Sequence, residues 1–387
     1  MDVFGMDAAQ LAAAGATWTT REILQQPAAW SEIEMLLNER AAELREFLQP
    51  LTSARDLQLV LTGAGTSAHV GACLAPALRR AAPYTVAAVP TTDLVASPES
   101  YLTPAVRTLL VSFARSGSSP ESVAAAELAE RYLADCSHLL VTCDATGALY
   151  RRFSGASNAR AILLPEKVND RSFAMTSSFS GMLLAAGLAL GGWPQPSVRR
   201  AASLASQLLS GRGRLLRELV DARYERIVYL GSREFQGLAR ESALKMLEMT
   251  DGRVVAVAES TLGFRHGPKT ILNDRALVVV FISSDSYTQQ YDWELVRELR
   301  RDAVAGRIIA LCGQVPDGAH ADDVSLSGDV AGALHDLELC LPYIVFAQSL
   351  ALLRAISCGV SPDSPNAAGT VSRVVKGVTI HPWRRSM

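Results

Sequence analysis

The feature that most constrains this chain is a rhythm that occurs twice. Short, nearly continuous runs rich in Val, Ile and Leu alternate with helical periodicity. In the first half the runs are 57–63, 84–90, 108–114, 137–143 and 160–165; in the second they are 226–232, 253–259, 276–284, 307–313 and 323–328. A strand that is apolar along its whole length must be covered on both faces, and strands separated by helices pair in parallel. Helical spacing follows the runs, as in SVAAAELAERYLA (122–134). The expected architecture is therefore α/β: two doubly wound parallel-sheet domains of similar plan, an internal duplication. The expected units are a helical leader at 1–50, with helix over 20–50, a first domain at 51–205 and a second at 206–387. A polar, Arg-rich linking helix is expected around 195–224.

Charge narrows the function classes. The formal net charge of the 387-residue chain is −2, and no long run of like charge occurs. That gives no footprint for nucleic acid and no electrostatic anchor for a membrane surface. An anionic substrate needs a local site instead. The first thirty residues lack a basic segment followed by an apolar core, so no secretory signal is expected. Apolar stretches such as 179–193 are too short to span a bilayer. The six cysteines are scattered, without CxxC or zinc-finger spacing, and read as reduced thiols of a cytoplasmic protein. No metal or cofactor is expected.

In open α/β sheets ligands bind beyond the carboxyl ends of the strands. Two loops sit there, LTGAGTSAHVG (61–71) and SFARSGSSPES (112–122). Gly63, Gly65 and Gly117 permit tight turns, while hydroxyls and helix-terminal N–H groups make a small anion site. Neither loop completes a dinucleotide fingerprint, and no triphosphate-binding loop occurs. Capping is the competing role for Ser118 and Ser119. In RESALKMLEM (240–249), Glu241, Lys245 and Glu248 share one side of a helix, as a surface ion pair or as a working face. TLGFRHGPKT (261–270) adds His266, titratable near neutral pH, in a loop.

GAGTS, RSGSSPES, ESALKMLE and GFRHGP, in this order, resemble the sugar isomerase (SIS) domain family. The tandem arrangement is similar to the isomerase half of glucosamine-6-phosphate synthase. A nearer resemblance is to the galactosamine-6-phosphate deaminase/isomerase (AgaS-type) group, formerly called tagatose-6-phosphate ketose/aldose isomerases. It extends through ATWTTREI (16–23), VPTTDLV (89–95), RSFAMTSS (171–178) and TVSRVVKGVTIHPW (370–383).

The resemblance implies flavodoxin-like domains and a phosphosugar substrate. It implies that Ser67, Ser116 and Ser119 hold the 6-phosphate, with Gly65, Thr66, Gly117 and Ser118 contributing backbone. The synthase has Ser and Gln where this chain has Ala114 and Arg115, so Arg115 is expected to supply a charge-assisted contact. Glu248 is the implied base between C1 and C2, with Glu241 and Lys245 lining the site. The residue matching His266 opens the sugar ring in the synthase, reaching in from a neighbouring subunit, which implies the same role for His266 in a homodimer or homotetramer. Lys376 matches a tail lysine that forms an imine with a ketose. The implied reaction takes D-galactosamine 6-phosphate and water to D-tagatose 6-phosphate and ammonia. Two alternatives stay open: an aldose–ketose isomerase without deamination, and a non-catalytic phosphosugar-binding regulator.

Overall fold

The computed structural model describes residues 4–193, 198–313, 320–325, 334–375 and 377–383. The leader is four helices, α1 Ala8–Ala13, α2 Thr17–Leu24, α3 Gln26–Glu39 and α4 Ala41–Thr52, where one helical stretch was expected. Asp7 and Gln10 form a capping box that starts α1 earlier than apolar spacing suggests. Pro27, in the first turn of α3, favours a fresh helix start there and separates it from α2.

The first domain runs β1 Gln58–Thr62, α5 Thr66–Ala81, β2 Thr85–Ala88, α6 Thr91–Ala96, β3 Thr108–Ala114, α7 Pro120–Tyr132, β4 Cys136–Thr142, α8 Ala148–Phe153 and β5 Ala159–Leu163. Helix α9, Ser177–Ala189, closes it. The expected linking helix is two, α10 Val198–Gly211 and α11 Gly213–Asp221, broken at Arg212. The second domain runs β6 Arg226–Gly231, α12 Glu234–Met249, β7 Val255–Glu259, β8 Ala276–Phe281, α13 Thr288–Asp302, β9 Arg307–Cys312, β10 Asp323–Ser325 and α14 Asp336–Ser357. The expected last strand extended to 328; residues 326–328 lie outside the described residues.

The sheets are ordered β2-β1-β3-β4-β5 and β7-β6-β8-β9-β10, all parallel. Both have the flavodoxin-type order. Counterpart elements begin at one constant offset: Gln58 and Arg226, Thr66 and Glu234, Thr108 and Ala276, Pro120 and Thr288. The duplication therefore holds to the residue at these four starts, while β2 and β7, beginning at Thr85 and Val255, differ from it by two residues.

Strand side chains alternate between two environments. Leu59, Leu109, Tyr229 and Val279 face one continuous core shared with the leader residues Ile23, Trp30 and Ile33 and with α9 and α14. Val60 and Leu110 pack outward with Ala125 and Ala129 of α7, and Val228 and Val278 pack outward with Leu295 of α13. Helix α14 is long and apolar enough to cross a membrane, but 94% of its apolar window is buried inside the protein. Its role here is that of a core helix.

Helices α5 and α12, the first helices of the two halves, cross closely. A Cβ on Gly237 would lie 2.7 Å from the backbone nitrogen of Cys73 and 2.8 Å from the carbonyl carbon of Ala72. Backbone cannot move aside cheaply, so only glycine fits. Gly237→Val should lower stability by roughly 1–3 kcal/mol, as overpacking does. The check is the urea midpoint; an unchanged midpoint would show that the crossing tolerates a side chain.

Candidate active site

Strand order reverses between β1 and β3, so the loops after them flank a crevice at the switch point. Gly63 is needed for close approach: a Cβ there would sit 2.6 Å from Ser67 Cβ. Gly65 (φ 55°) and Gly117 (φ 61°) occupy left-handed backbone. Thr66 and Ser67 begin α5 and are buried. In the second loop, Ser118 Oγ donates to Ser116 O at 3.3 Å and accepts from Ala148 N at 3.2 Å. Ser119 Oγ donates to Ser122 Oγ at 2.7 Å and makes no hydrogen bond to the helix backbone as an N-cap.

The second half repeats these loops and closes them. Gly231 is again needed for approach, 2.5 Å from Phe235 Cβ. Arg233 takes the place of Gly65 with nearly the same backbone, φ 55° and ψ −122° against 55° and −125°. That conformation strains an L-residue. Its guanidinium lies 3.2 Å from Asp285 and 3.7 Å from Asp336. Asp336 accepts Ser283 Oγ at 2.6 Å, Ser284 N at 2.6 Å and Ser284 Oγ at 2.9 Å. The chain's own carboxylate thus satisfies the donors that an incoming anion would use. In the first-half loops, among the described residues, no carboxylate bonds the hydroxyls of Ser116, Ser118 or Ser119.

Helix α12 presents its charged side to α5. Glu241 and Lys245 are fully buried, and the Glu248 side chain is 27% exposed. Thr66 Oγ1 donates to Glu241 Oε1 at 3.2 Å and accepts Lys245 Nζ at 2.9 Å. Lys245 Nζ lies 3.4 Å from Glu241 Oε1 and also bonds Glu248 Oε2. Burial works to lower the Lys245 pKa, but the two carboxylates outweigh it and hold the ammonium above its ordinary value. The surface-pair reading of RESALKMLEM is therefore wrong for Glu241 and Lys245, because α5 covers that side of the helix.

Arg115 is buried, and burial followed by the Arg373 charge lowers its pKa. It donates to Phe173 O at 3.3 Å and Arg373 O at 2.8 Å. It thus joins the 112–122 loop to the 171–173 segment and the tail, and its charge also acts on Glu248. Lys376 lies outside the described residues. The tail on either side of it is held by Arg115 and by a Trp383–Glu99 bond of 3.0 Å. His266 stands apart. It is exposed at the end of a short 3₁₀ turn, and its neighbour Arg265 is anchored on Glu298 of α13 at 2.8 Å. Among the described residues, no hydrogen bond joins its imidazole to Glu241, Lys245 or Glu248.

His69 was missed from the sequence. One turn into α5, its Nδ1 lies 2.9 Å from Glu241 Oε2. The available signal was its spacing of three from Thr66, which puts both on one helix face. Nothing in the sequence said that α12 covers that face.

Two of the resembling motifs outside the site, 16–23 and 171–178, make structural ties. Trp18 N and Thr19 N bond the Asp363 carboxylate at 3.0 and 2.7 Å. Asp170 accepts Thr176 N, Ser177 N and Ser178 N at 2.8, 3.0 and 2.9 Å, neutralising the start of α9. Glu22 accepts Arg171 N at 2.5 Å and Ser172 N at 3.2 Å. Burial, then the nearby Asp170 charge, pushes the Glu22 pKa up to about 7.

The profile of the SIS domain matches residues 51–190 and 218–322. This chain belongs to the SIS domain family. It is 44% identical over 381 residues to the D-galactosamine-6-phosphate deaminase AgaS of Escherichia coli, covering 96% of this chain and 98% of that one. Identity to the protein of that name from Shewanella sp. (strain ANA-3) is 39%, covering 98% and 95%. Among solved SIS structures, tagatose-6-phosphate ketose/aldose isomerase from Escherichia coli superposes with a TM-score of 0.86 at 42% identity, covering 96% and 99%.

Glu22 supplies a pH test. Its raised folded pKa means the protonated form is favoured in the fold. The stabilisation is complete below its ordinary value of 4.5 and is lost as pH rises through about 7. Urea midpoints of the wild type should carry this loss across that window, and Glu22→Gln should flatten it. Equal slopes in the two proteins would refute the assignment.

Proposed function

We propose that the chain converts D-galactosamine 6-phosphate and water into D-tagatose 6-phosphate and ammonia. The observation that carries this is Glu248, a partly exposed carboxylate bonded to a buried ammonium that also bonds Thr66, which begins the helix after the first glycine-bearing loop. Near-full-length similarity to proteins named galactosamine-6-phosphate deaminase supports the substrate.

The first-half loops hold the phosphate through Ser67, Ser116 and Ser119, so binding energy at the far end orients the reacting carbons. His266 of a second copy moves the proton that opens the ring. The free aldehyde acidifies the C2 hydrogen, which Glu248 removes as general base. Lys245 stabilises the negative charge that develops on the C1 oxygen. Reprotonation at C1 leaves an imine at C2; water adds there and ammonia departs. Lys376 is the tail residue to test for an imine with the ketose.

Ammonia release across hexosamine 6-phosphates tests the reading, with galactosamine 6-phosphate expected to be turned over faster than glucosamine 6-phosphate. Glu248→Gln should lower kcat by about 10²–10⁴-fold while substrate still binds. Near-normal turnover would remove Glu248 from the role of base. The name of the Escherichia coli structure favours a second reading, aldose–ketose isomerisation. Tagatose 6-phosphate turnover without any ammonia release from amino sugars would establish that instead.

An exposed His266 suits a site completed by another copy of the chain. Mixing inactive His266→Asn and Glu248→Gln proteins under subunit exchange should recover part of the activity. No recovery in demonstrably mixed oligomers would place both residues in one chain's site.

A further inference from the structure

Glu241 has two oxygens and unequal neighbours. Its Oε1 takes Thr66 Oγ1 at 3.2 Å and lies 3.4 Å from Lys245 Nζ. Its Oε2 meets His69 Nδ1 at 2.9 Å. The carboxylate is wholly buried, and the His69 side chain is 21% exposed. A carboxylate only accepts, so the imidazole donates from Nδ1.

Lys245 is shared between two carboxylates that compete for it. It is nearer Glu248 than Glu241, and it also bonds Thr66 at 2.9 Å. A buried carboxylate oxygen left without a donor is costly. Without His69, Oε2 would lose its described donor, and Glu241 would turn to the Lys245 ammonium to recover one. Lys245 would then leave Glu248. With His69 in place, Glu241 is satisfied from the α5 side and the ammonium stays at the solvent-facing carboxylate.

We propose that His69 is a positioning residue for the reaction. Its Nδ1–H holds Glu241, and through Glu241 it sets where Lys245 stands between the two carboxylates. This rests on the roles given above to Lys245 and Glu248, and it names the residue that arranges them. His69 touches neither the phosphate loops' hydroxyls through a described bond nor Glu248. Its effect is therefore expected in turnover, not in substrate affinity.

Two variants separate this from simple packing. His69→Leu removes the donor; His69→Asn keeps an N–H close to the place of Nδ1. Loss of a hydrogen bond to a charged group predicts a fall in kcat of about tenfold or more for His69→Leu, with KM little changed. His69→Asn should recover a large part of that loss, at matched thermal midpoints. Three results would overturn the proposal: kcat for His69→Leu within about twofold of wild type, equal impairment of the two variants, or a rise in KM with kcat intact.

The assay uses ammonia release from galactosamine 6-phosphate. If the wild type releases none, the proposed reaction has failed, and the variants are compared in interconversion of tagatose 6-phosphate with its aldose. A readout independent of turnover is ¹⁵N NMR of the imidazoles. A protonated Nδ1 is expected for His69, and its resonance should move in Glu241→Gln. An unprotonated Nδ1 overturns the proposal whatever the enzyme turns over.

Discussion

The lysine ammonium sealed between α5 and α12 is the interaction on which the site depends. Burying a charge is expensive unless it is paired and hydrogen-bonded. Lys245 meets that condition with two carboxylates and the Thr66 hydroxyl, drawn from both halves of the chain. Two of these partners are in turn fixed elsewhere: Thr66 begins α5 at the end of β1, and Glu241 is bonded from α5 by His69. The charge cluster and the crossing of the two helices therefore require one another. Gly237 lets the backbones approach, and the approach shields the ammonium from water.

A duplicated fold has been put to two uses. Both halves build the same strand–loop–helix start, with a glycine that admits the first helical turn and a left-handed residue after it. In the first half the left-handed residue is Gly65. In the second it is Arg233, and the loop hydroxyls are taken by Asp336 at the start of the central helix. The second half keeps the architecture while a carboxylate of its own occupies the place beside these hydroxyls. Its first helix turns its charged side onto α5 of the first half. Thr66 and His69 of one half meet Glu241 and Lys245 of the other, and the two sheets share one core.

Much of this was legible in the chain itself. All ten apolar runs contain strands; the inner ones, such as β3 and β8, are buried along their whole length and have no polar alternation to disguise them. The duplication and the glycine-bearing loops follow from order and residue type, and so does the shared face of Glu241, Lys245 and Glu248. These are local properties, set by chain geometry over a few residues. The leader was harder to divide, since a capping box and a proline, not apolar spacing, decide where its helices break.

What tertiary structure decided is which surfaces meet. The sequence left Glu241 and Lys245 open to a solvated reading, and burial beneath α5 ended it. It offered Arg115 as a phosphate ligand; the fold turns its described bonds to the carbonyls of Phe173 and Arg373. It gave no weight to His69, whose partner lies 172 positions away. Local sequence determines the face on which a side chain stands. Only packing between distant segments sets what it faces, and in a low-dielectric interior the facing group decides whether a charge is idle or held ready for chemistry.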